Sequence, residues 1–362
     1  MADRSAALYV TDTRHGHHAW HDPSARHRCY HFADALVQEG WSASVVHIDS
    51  LTASIIGRFR HVIFHRPKYS PRFARALAIC RRCDVSVHAD YDDLIFDPEL
   101  AEHSPLFING NRPLSKVKRY FEDNRSAMEN FDSIIVSTSA LCKHLRRQLP
   151  HVNASVLPNS LPRLFQPPRV QPPRVQPPHL DKPQVERSRD CSFVIGYFPG
   201  SNSHNHDIEM VFDALGQLLT DKPHCRLVVV GKMADKRLSS LSRQVEFKPF
   251  VDYNQYLYQL AQVDLSIAPL QKNIFNDSKS AVKLIESVAV GTPILASENP
   301  DMADHMNSMS VLVRDASDWL AKLLQCIERN ACFDCSASEQ LRVRYSVSSR
   351  LPILQQHLNF SV

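Results

Sequence analysis

The sequence predicts an α/β chain made of two Rossmann-like, doubly wound domains facing a cleft. Three observations carry that prediction. Short apolar runs alternate with helix-period segments through residues 1–160, the rhythm stops at a proline-rich stretch, and it restarts through residues 191–345. Parallel strands need crossovers of a dozen or more residues, usually a helix, so a βα rhythm implies parallel sheets with helices on both faces.

In the first half the candidate strands are 6–10, 44–48, 61–64, 84–88, 133–137 and 154–157. Between the first two, Cys29, Phe32, Ala33, Leu36 and Val37 fall on one helical face and Gly40 supplies the stop. Residues 161–190 are the break: Gln166-Pro-Pro-Arg-Val is followed at once by the same five residues from Gln171. Proline offers no ladder donor and favours extended backbone, so this segment reads as a semi-rigid linker, with a docking peptide as the alternative. In the second half the candidate strands are 193–198, 226–231, 245–250, 264–268, 293–297 and 310–313, and residues 346–362 form a last helix expected to pack back on the first domain. Ligands of open α/β sheets bind beyond the carboxyl ends of the strands, so function is expected in the loops lining the cleft.

Bulk composition narrows the partners. A chain of 362 residues that is 43% hydrophobic can bury two cores, and a formal charge of +4 is far from the concentrated basic stripe of a nucleic-acid binder. No run of about 18 apolar residues is present and the first residues lack a secretory apolar stretch, so a cytoplasmic location is expected. Nine cysteines, an odd number without a regular framework, read as reduced thiols. The pairs Cys80/Cys83 and Cys332/Cys335 stand far apart in the chain, which argues against structural zinc. The histidine-rich stretch from His15 to His31 reads as a flexible loop, with metal binding as the alternative.

The loops carry the chemistry. Residues 274–297 run from a polar loop through an amphipathic helix containing Glu286 to Gly291-Thr-Pro and a buried strand. The segment resembles the donor-binding motif of glycosyltransferase family 4, whose members adopt the GT-B fold and hold a nucleotide sugar with a loop-to-helix segment. In that family two glutamates separated by seven residues contact the donor sugar and its ribose. Glu286 matches the second position, whereas the first is Ser278. The resemblance thus implies ribose recognition by Glu286, with the amides of Ser278, Lys279 and Ser280 at a helix N-terminus and the Lys279 charge meeting phosphate. The alternative makes Glu286 a solvated helix residue and Lys279 and Lys283 ordinary surface cations.

The turn after residue 198, Pro199-Gly200-Ser201-Asn-Ser-His204-Asn-His206, falls where relatives bind diphosphate. Many of them place an arginine after the glycine and a lysine five residues later; Ser201 and His206 stand there, leaving His204 and Lys232 as substitutes. The stretch ending at Phe250 resembles the strand and turn that read the nucleotide base. The resemblance spans about residues 195–297. In the first half it is looser, covering Arg26 and Arg28, which would meet an acidic acceptor or the diphosphate, and residues 156–159.

His88-Ala-Asp90-Tyr-Asp92-Asp93 reads as the loop after a strand. Asp90, Asp92, Asp93 and His88 would there meet acceptor or donor hydroxyls, Asp90 and Asp92 in a catalytic role with Lys279. Asp90 and Asp92 also mimic the Asp-x-Asp metal motif of GT-A transferases, which gives a metal-dependent alternative. The family resemblance implies retaining transfer without metal or other cofactor, from a nucleotide-sugar donor to a glycan or lipid-linked glycan. Relatives build cell-surface polysaccharides, which suggests peripheral association with the inner face of a membrane. A sugar-nucleotide epimerase and a non-catalytic scaffold of the same fold are the rival readings.

Overall fold

The computed structural model describes residues 6–163, 165, 192–200, 206–233, 238, 243–329, 334 and 337–359. The tandem proline repeat, Ser201, His204 and the Cys332/Cys335 pair lie outside the described residues.

Among the described residues twelve strands form two six-stranded sheets, parallel throughout. The first contains β1 (Ala6–Thr11), β2 (Ser42–His47), β3 (His61–His65), β4 (Ser86–Tyr91), β5 (Ser133–Val136) and β6 (Asn153–Val156), in the order β2-β1-β3-β4-β5-β6. The second contains β7 (Phe193–Gly200), β8 (Cys225–Gly231), β9 (Val245–Lys248), β10 (Leu265–Ala268), β11 (Ile294–Ser297) and β12 (Ser310–Val313), in the order β12-β11-β10-β7-β8-β9. Strands such as β10 and β11 are buried along their whole length, which is why they read as continuous apolar runs rather than as alternations. Both sheets are doubly wound, and the order reverses between β1 and β3 in the first and between β7 and β10 in the second. Those reversals are where crevices open at the carboxyl ends of strands.

The architecture is the expected pair of Rossmann-like domains, and the single-sheet GT-A alternative is thereby corrected. Several local expectations are corrected too. β4 continues through Asp90 and Tyr91, so these residues are strand and not the loop that follows it. Val37 is 51% exposed and leaves the buried face held by Cys29, Phe32, Ala33 and Leu36. The stretch Gly16–His21 is a 3-10 helix rather than a flexible loop, and His17 packs edge-on against His47.

The chain crosses between the domains twice, side by side. Leu161 bridges to Ser346, with Leu161 N–H donating to Tyr345 and Val347 N–H to Leu161. Beyond this crossing, helix Leu351–His357 lies on the first sheet, where Leu351, Leu354 and Leu358 join Ala7, Tyr9 and Ile63 in one buried cluster. The two domains are therefore held by chain crossings at one end of their interface, leaving the facing strand ends to form the site.

Candidate functional site

A π-helical turn, Arg26–Tyr30, enters helix His31–Gln38. The wider turn buries Arg26, His27, Arg28 and Cys29 in succession, which a regular amphipathic helix would not do. Each of the three polar side chains goes to a different partner.

His27 reaches the second domain. Its Nε2 lies 3.2 Å from Oε1 of Glu286, on helix Val282–Ala289, while the Tyr256 hydroxyl donates to Glu286 Oε2 at 2.9 Å. Burial alone would raise the Glu286 carboxyl, but the close His27, the Arg26 charge and the Tyr256 hydroxyl outweigh it and hold the carboxyl below its ordinary value. Arg26 stacks at 3.9 Å over the Tyr253 ring of the second domain. His27 and His31 both turn Nδ1 toward the Ser160 carbonyl, at 3.2 and 3.1 Å.

Four buried polar atoms in this interface have no hydrogen-bond partner among the described residues: Arg26 Nε, His31 Nε2, Ser160 Oγ and Tyr253 Oη. Each such group costs about 1–3 kcal/mol when left unmade, so their concentration in one place marks a surface prepared for a polar ligand. Sequence placed both histidines only within the stretch from His15 to His31 and gave neither tyrosine a role. The signal available was the aromatic-rich start of helix Tyr253–Leu260, and nothing local connects it to residue 27.

Arg28 is wholly buried and does not face the acceptor side expected of it. Its fork grips Asp90 with two bonds of 2.8 Å, and a third nitrogen donates to the Leu157 carbonyl and to Asn159 Oδ1. The Asn159 amide then donates to Ser280 Oγ at 2.8 Å, carrying the network across the interface. Thr138 Oγ1 donates to the Ser278 carbonyl at 3.0 Å in a second crossing. Asp90 is accordingly the counter-ion of a structural arginine.

Asp92 belongs to a neighbouring cluster at the β1/β3 reversal. Ser24 Oγ lies 2.7 Å from His65 Nε2 and donates to both Asp92 oxygens at 2.7 and 2.6 Å. Arg66 holds Asp92 through Nε and Asp93 through Nη2 at 2.7 Å. Burial opposes ionisation of Asp92, yet the adjacent Arg66 and His65 keep its carboxyl well below the usual range. Arg66 itself sits at φ +46°, a conformation unfavourable for a non-glycine residue and held here by its two carboxylates. The three aspartates read as a free acidic motif are thus all engaged by arginine. Among the described residues no group of three or more His, Cys, Asp or Glu side chains is disposed to hold a metal.

His88 is likewise displaced from its expected place. It points to the face covered by the last helix, with Nδ1 at 3.0 Å from Ser133 Oγ and Nε2 at 3.2 Å from His61. His357 completes this group through Ser133 and Ser155.

In the second domain, Gly200 closes β7 at φ +73° with open space around it. Gly231 has φ +143°, and a Cβ there would meet Gly200 N at 3.1 Å, so the two strand ends approach through glycine. Lys232 lies 5.5 Å over the half-exposed Phe250 ring, away from Glu286. The amides of Ser278 and Lys279 are consumed by the carbonyls of Phe275 and Asn276, and that of Ala281 by Asp301. The expected anion-binding amides at Ser278 and Lys279 are therefore already spent. Ser278 Oγ donates back to Ile274 at 3.1 Å. Lys283 directs Nζ to the Phe198 carbonyl at 2.7 Å.

No curated protein matches the chain by sequence. Among solved structures it is similar to HepE of Anabaena in complex with UDP, at 12% identity over 98% of this chain and 99% of that one, TM-score 0.62. It is similar to sucrose-phosphate synthase from Thermosynechococcus elongatus at 14% identity, 98% of each chain and TM-score 0.63. TarM matches at 14% identity over 84% of this chain and TM-score 0.58, and this chain spans only 55% of TarM. At such identities the likeness establishes the fold. Residues 193–329 match the family model described as glycosyl transferases group 1. The second half of this chain therefore matches the glycosyl transferases group 1 model, and the whole chain has the two-domain GT-B fold of these structures.

Proposed function

We propose that the protein is a glycosyltransferase that moves a sugar from a nucleotide-sugar donor to a glycan or lipid-linked glycan with retention of configuration, in the building of a cell-surface polysaccharide. The observation that carries this reading is the buried Glu286 carboxylate on the group 1 segment, whose Oε1 meets His27 of the first domain at 3.2 Å. A ribose hydroxyl is an O–H donor of the kind that could take the place of His27 on that oxygen. The HepE structures hold UDP, UDP with glucose, and UDP-glucose, which makes a uridine donor the first to test.

The acceptor hydroxyl would enter at the β1/β3 reversal, near Ser24, His65 and Asp92. Donor leaving group and acceptor would lie on one face of the sugar, so catalysis would come from positioning and from stabilising charge on the departing diphosphate, with Lys279 contributing. The arginine pairing of Asp90, Asp92 and Asp93 supports departure without a bridging metal. We place this chemistry in the cytoplasm, with a lipid-linked acceptor drawing the protein to the inner membrane face. No helix among the described residues is long and apolar enough to cross a membrane.

One observation favours a second reading, a non-catalytic binding protein: the Ser278 hydroxyl is turned inward to Ile274, leaving no side chain of that residue for the donor sugar. Calorimetric titration with UDP, GDP, dTDP and ADP, each with EDTA and with Mg²⁺, tests the proposal. Metal-independent binding of one nucleotide, lost in Glu286→Ala, is the expected result. Binding of none would sink it, and binding without turnover on any acceptor would leave the second reading.

A further inference from the structure

We propose that Lys283, with Lys279 beside it, binds the diphosphate of the nucleotide at the carboxyl end of β7, from the helix that also carries Glu286. This inference rests on the nucleotide-sugar reading. Lys283 is the second residue of helix Val282–Ala289, and its ammonium is anchored on the Phe198 carbonyl at 2.7 Å, two residues before the open turn at Gly200. That point is the β7/β10 reversal, where a doubly wound sheet presents its crevice.

The charges around Lys283 are incompletely balanced. Among the described residues its ammonium has no ion-pair partner. Of the two carboxylates that act on it, Asp207 accepts from the Gln271 amide and the Asn276 side chain, and Glu286 is held by Tyr256 and His27. The other charged neighbour is Lys279, whose ammonium lies 5.7 Å from the Phe275 ring centroid and repels Lys283. Burial first, and Lys279 second, push the Lys283 ammonium down to about 8. Two lysines drawn together under desolvation are destabilising alone and complementary to a dianion.

Among the described residues several other donors on this wall are already spent. The amides of Ser278, Lys279 and Ala281 are occupied, and Lys232 is turned onto Phe250. A diphosphate beside Gly200 would meet both lysines, while the ribose of the same nucleotide would meet Glu286, one helical turn further along the helix. Diphosphate binding would also restore a full proton to Lys283, since a nearby anion favours the charged ammonium.

Calorimetry with UDP, or whichever of GDP, dTDP and ADP binds, and with the parent nucleoside tests the assignment on wild type, Lys283→Met and Lys283→Arg. Measurements at pH 8 in two buffers of different ionisation enthalpy count protons taken up. The expected result is a tenfold or greater loss of diphosphate affinity in Lys283→Met with nucleoside binding unchanged, and partial recovery in Lys283→Arg. Wild type should take up roughly half a proton, being half-protonated near its own pKa, and Lys283→Arg none. Diphosphate affinity unchanged in Lys283→Met, or equal loss for diphosphate and nucleoside, would overturn the assignment and leave sugar transfer standing. If Lys283→Met does not fold, Lys283→Gln takes its place, and unchanged diphosphate affinity in that variant overturns the assignment. Failure of wild type to bind any nucleotide would remove the function reading and this inference together.

Discussion

His27 Nε2 of the first domain and Glu286 Oε1 of the second lie 3.2 Å apart, within a buried interface. The contact holds the domains together across the very carboxylate proposed to receive ribose. Binding a nucleotide there would exchange the histidine for ribose hydroxyls, so closure and donor entry compete for one oxygen. His27→Ala should therefore loosen the interface while leaving Glu286 available: amide exchange around Ser160 should quicken, and nucleotide affinity should hold or rise up to about tenfold. A fall in affinity of that size would show that His27 supports the ligand instead.

The same pair makes closure pH-dependent. The folded-state Glu286 carboxyl titrates below its ordinary value of 4.5, so its contribution is present above about pH 4.5 and is lost as pH falls through the lower folded value. Acid titration followed by denaturant midpoint should show a loss in this window that Glu286→Gln abolishes. An identical acid limb in the variant would remove Glu286 from the account.

Arg28 and Asp90 form a buried two-bond pair that also ties Leu157 and Asn159 to the first helix. Arg28→Ala strands a buried carboxylate and should cost about 3–5 kcal/mol in chemical denaturation. Arg28→Lys keeps the charge but loses the fork, so it should recover less than half of that. Full recovery by lysine would mean that charge alone matters.

Gly231 sits at φ +143° with Gly200 pressed against it. Gly231→Ala must strain the backbone and push the β7 turn, at a cost of about 1–3 kcal/mol. Thermal denaturation and nucleotide titration on the same variant should fall together, because Gly200 borders the proposed diphosphate position. A lower melting temperature with unchanged nucleotide affinity would separate the turn from the site.

The histidines beneath the last helix predict a second acid sensitivity. Burial first, with mutual repulsion among His61, His88 and His357 and with Arg60, lowers His61 to about 4, His88 to about 3 and His357 to about 4. These folded values lie below the ordinary 6.5, so the folded chain binds fewer protons and stability declines as pH falls from about 6.5 toward about 4. Partial exposure of His61 limits its share to about 1 kcal/mol or less per pH unit. His357→Phe should flatten the denaturant midpoint between pH 7.5 and 5.5, and an unchanged slope would exclude the cluster.

The strands among the described residues were legible in sequence, the central ones such as β10 and β11 because burial on both faces demands apolar runs. The exception in position, β4, is informative: its end looks like a polar loop because Asp90 is a poor strand residue until Arg28 neutralises it. Sheet order was not legible, since any right-handed winding satisfies the same local pattern. Glu286 was legible because a helix, a glycine stop and a buried strand surround it in one continuous segment. His27, Tyr253 and Tyr256 were not, because each acts through a contact made only when two domains meet. Lys283 carried the marks of a surface cation, and only packing against β7 turned it inward. Local periodicity, then, determined the elements and the fold class from the sequence by itself. Which charges are spent on structure and which are left for a ligand was decided by tertiary structure alone, because a charge is neutralised by what lies near it in space.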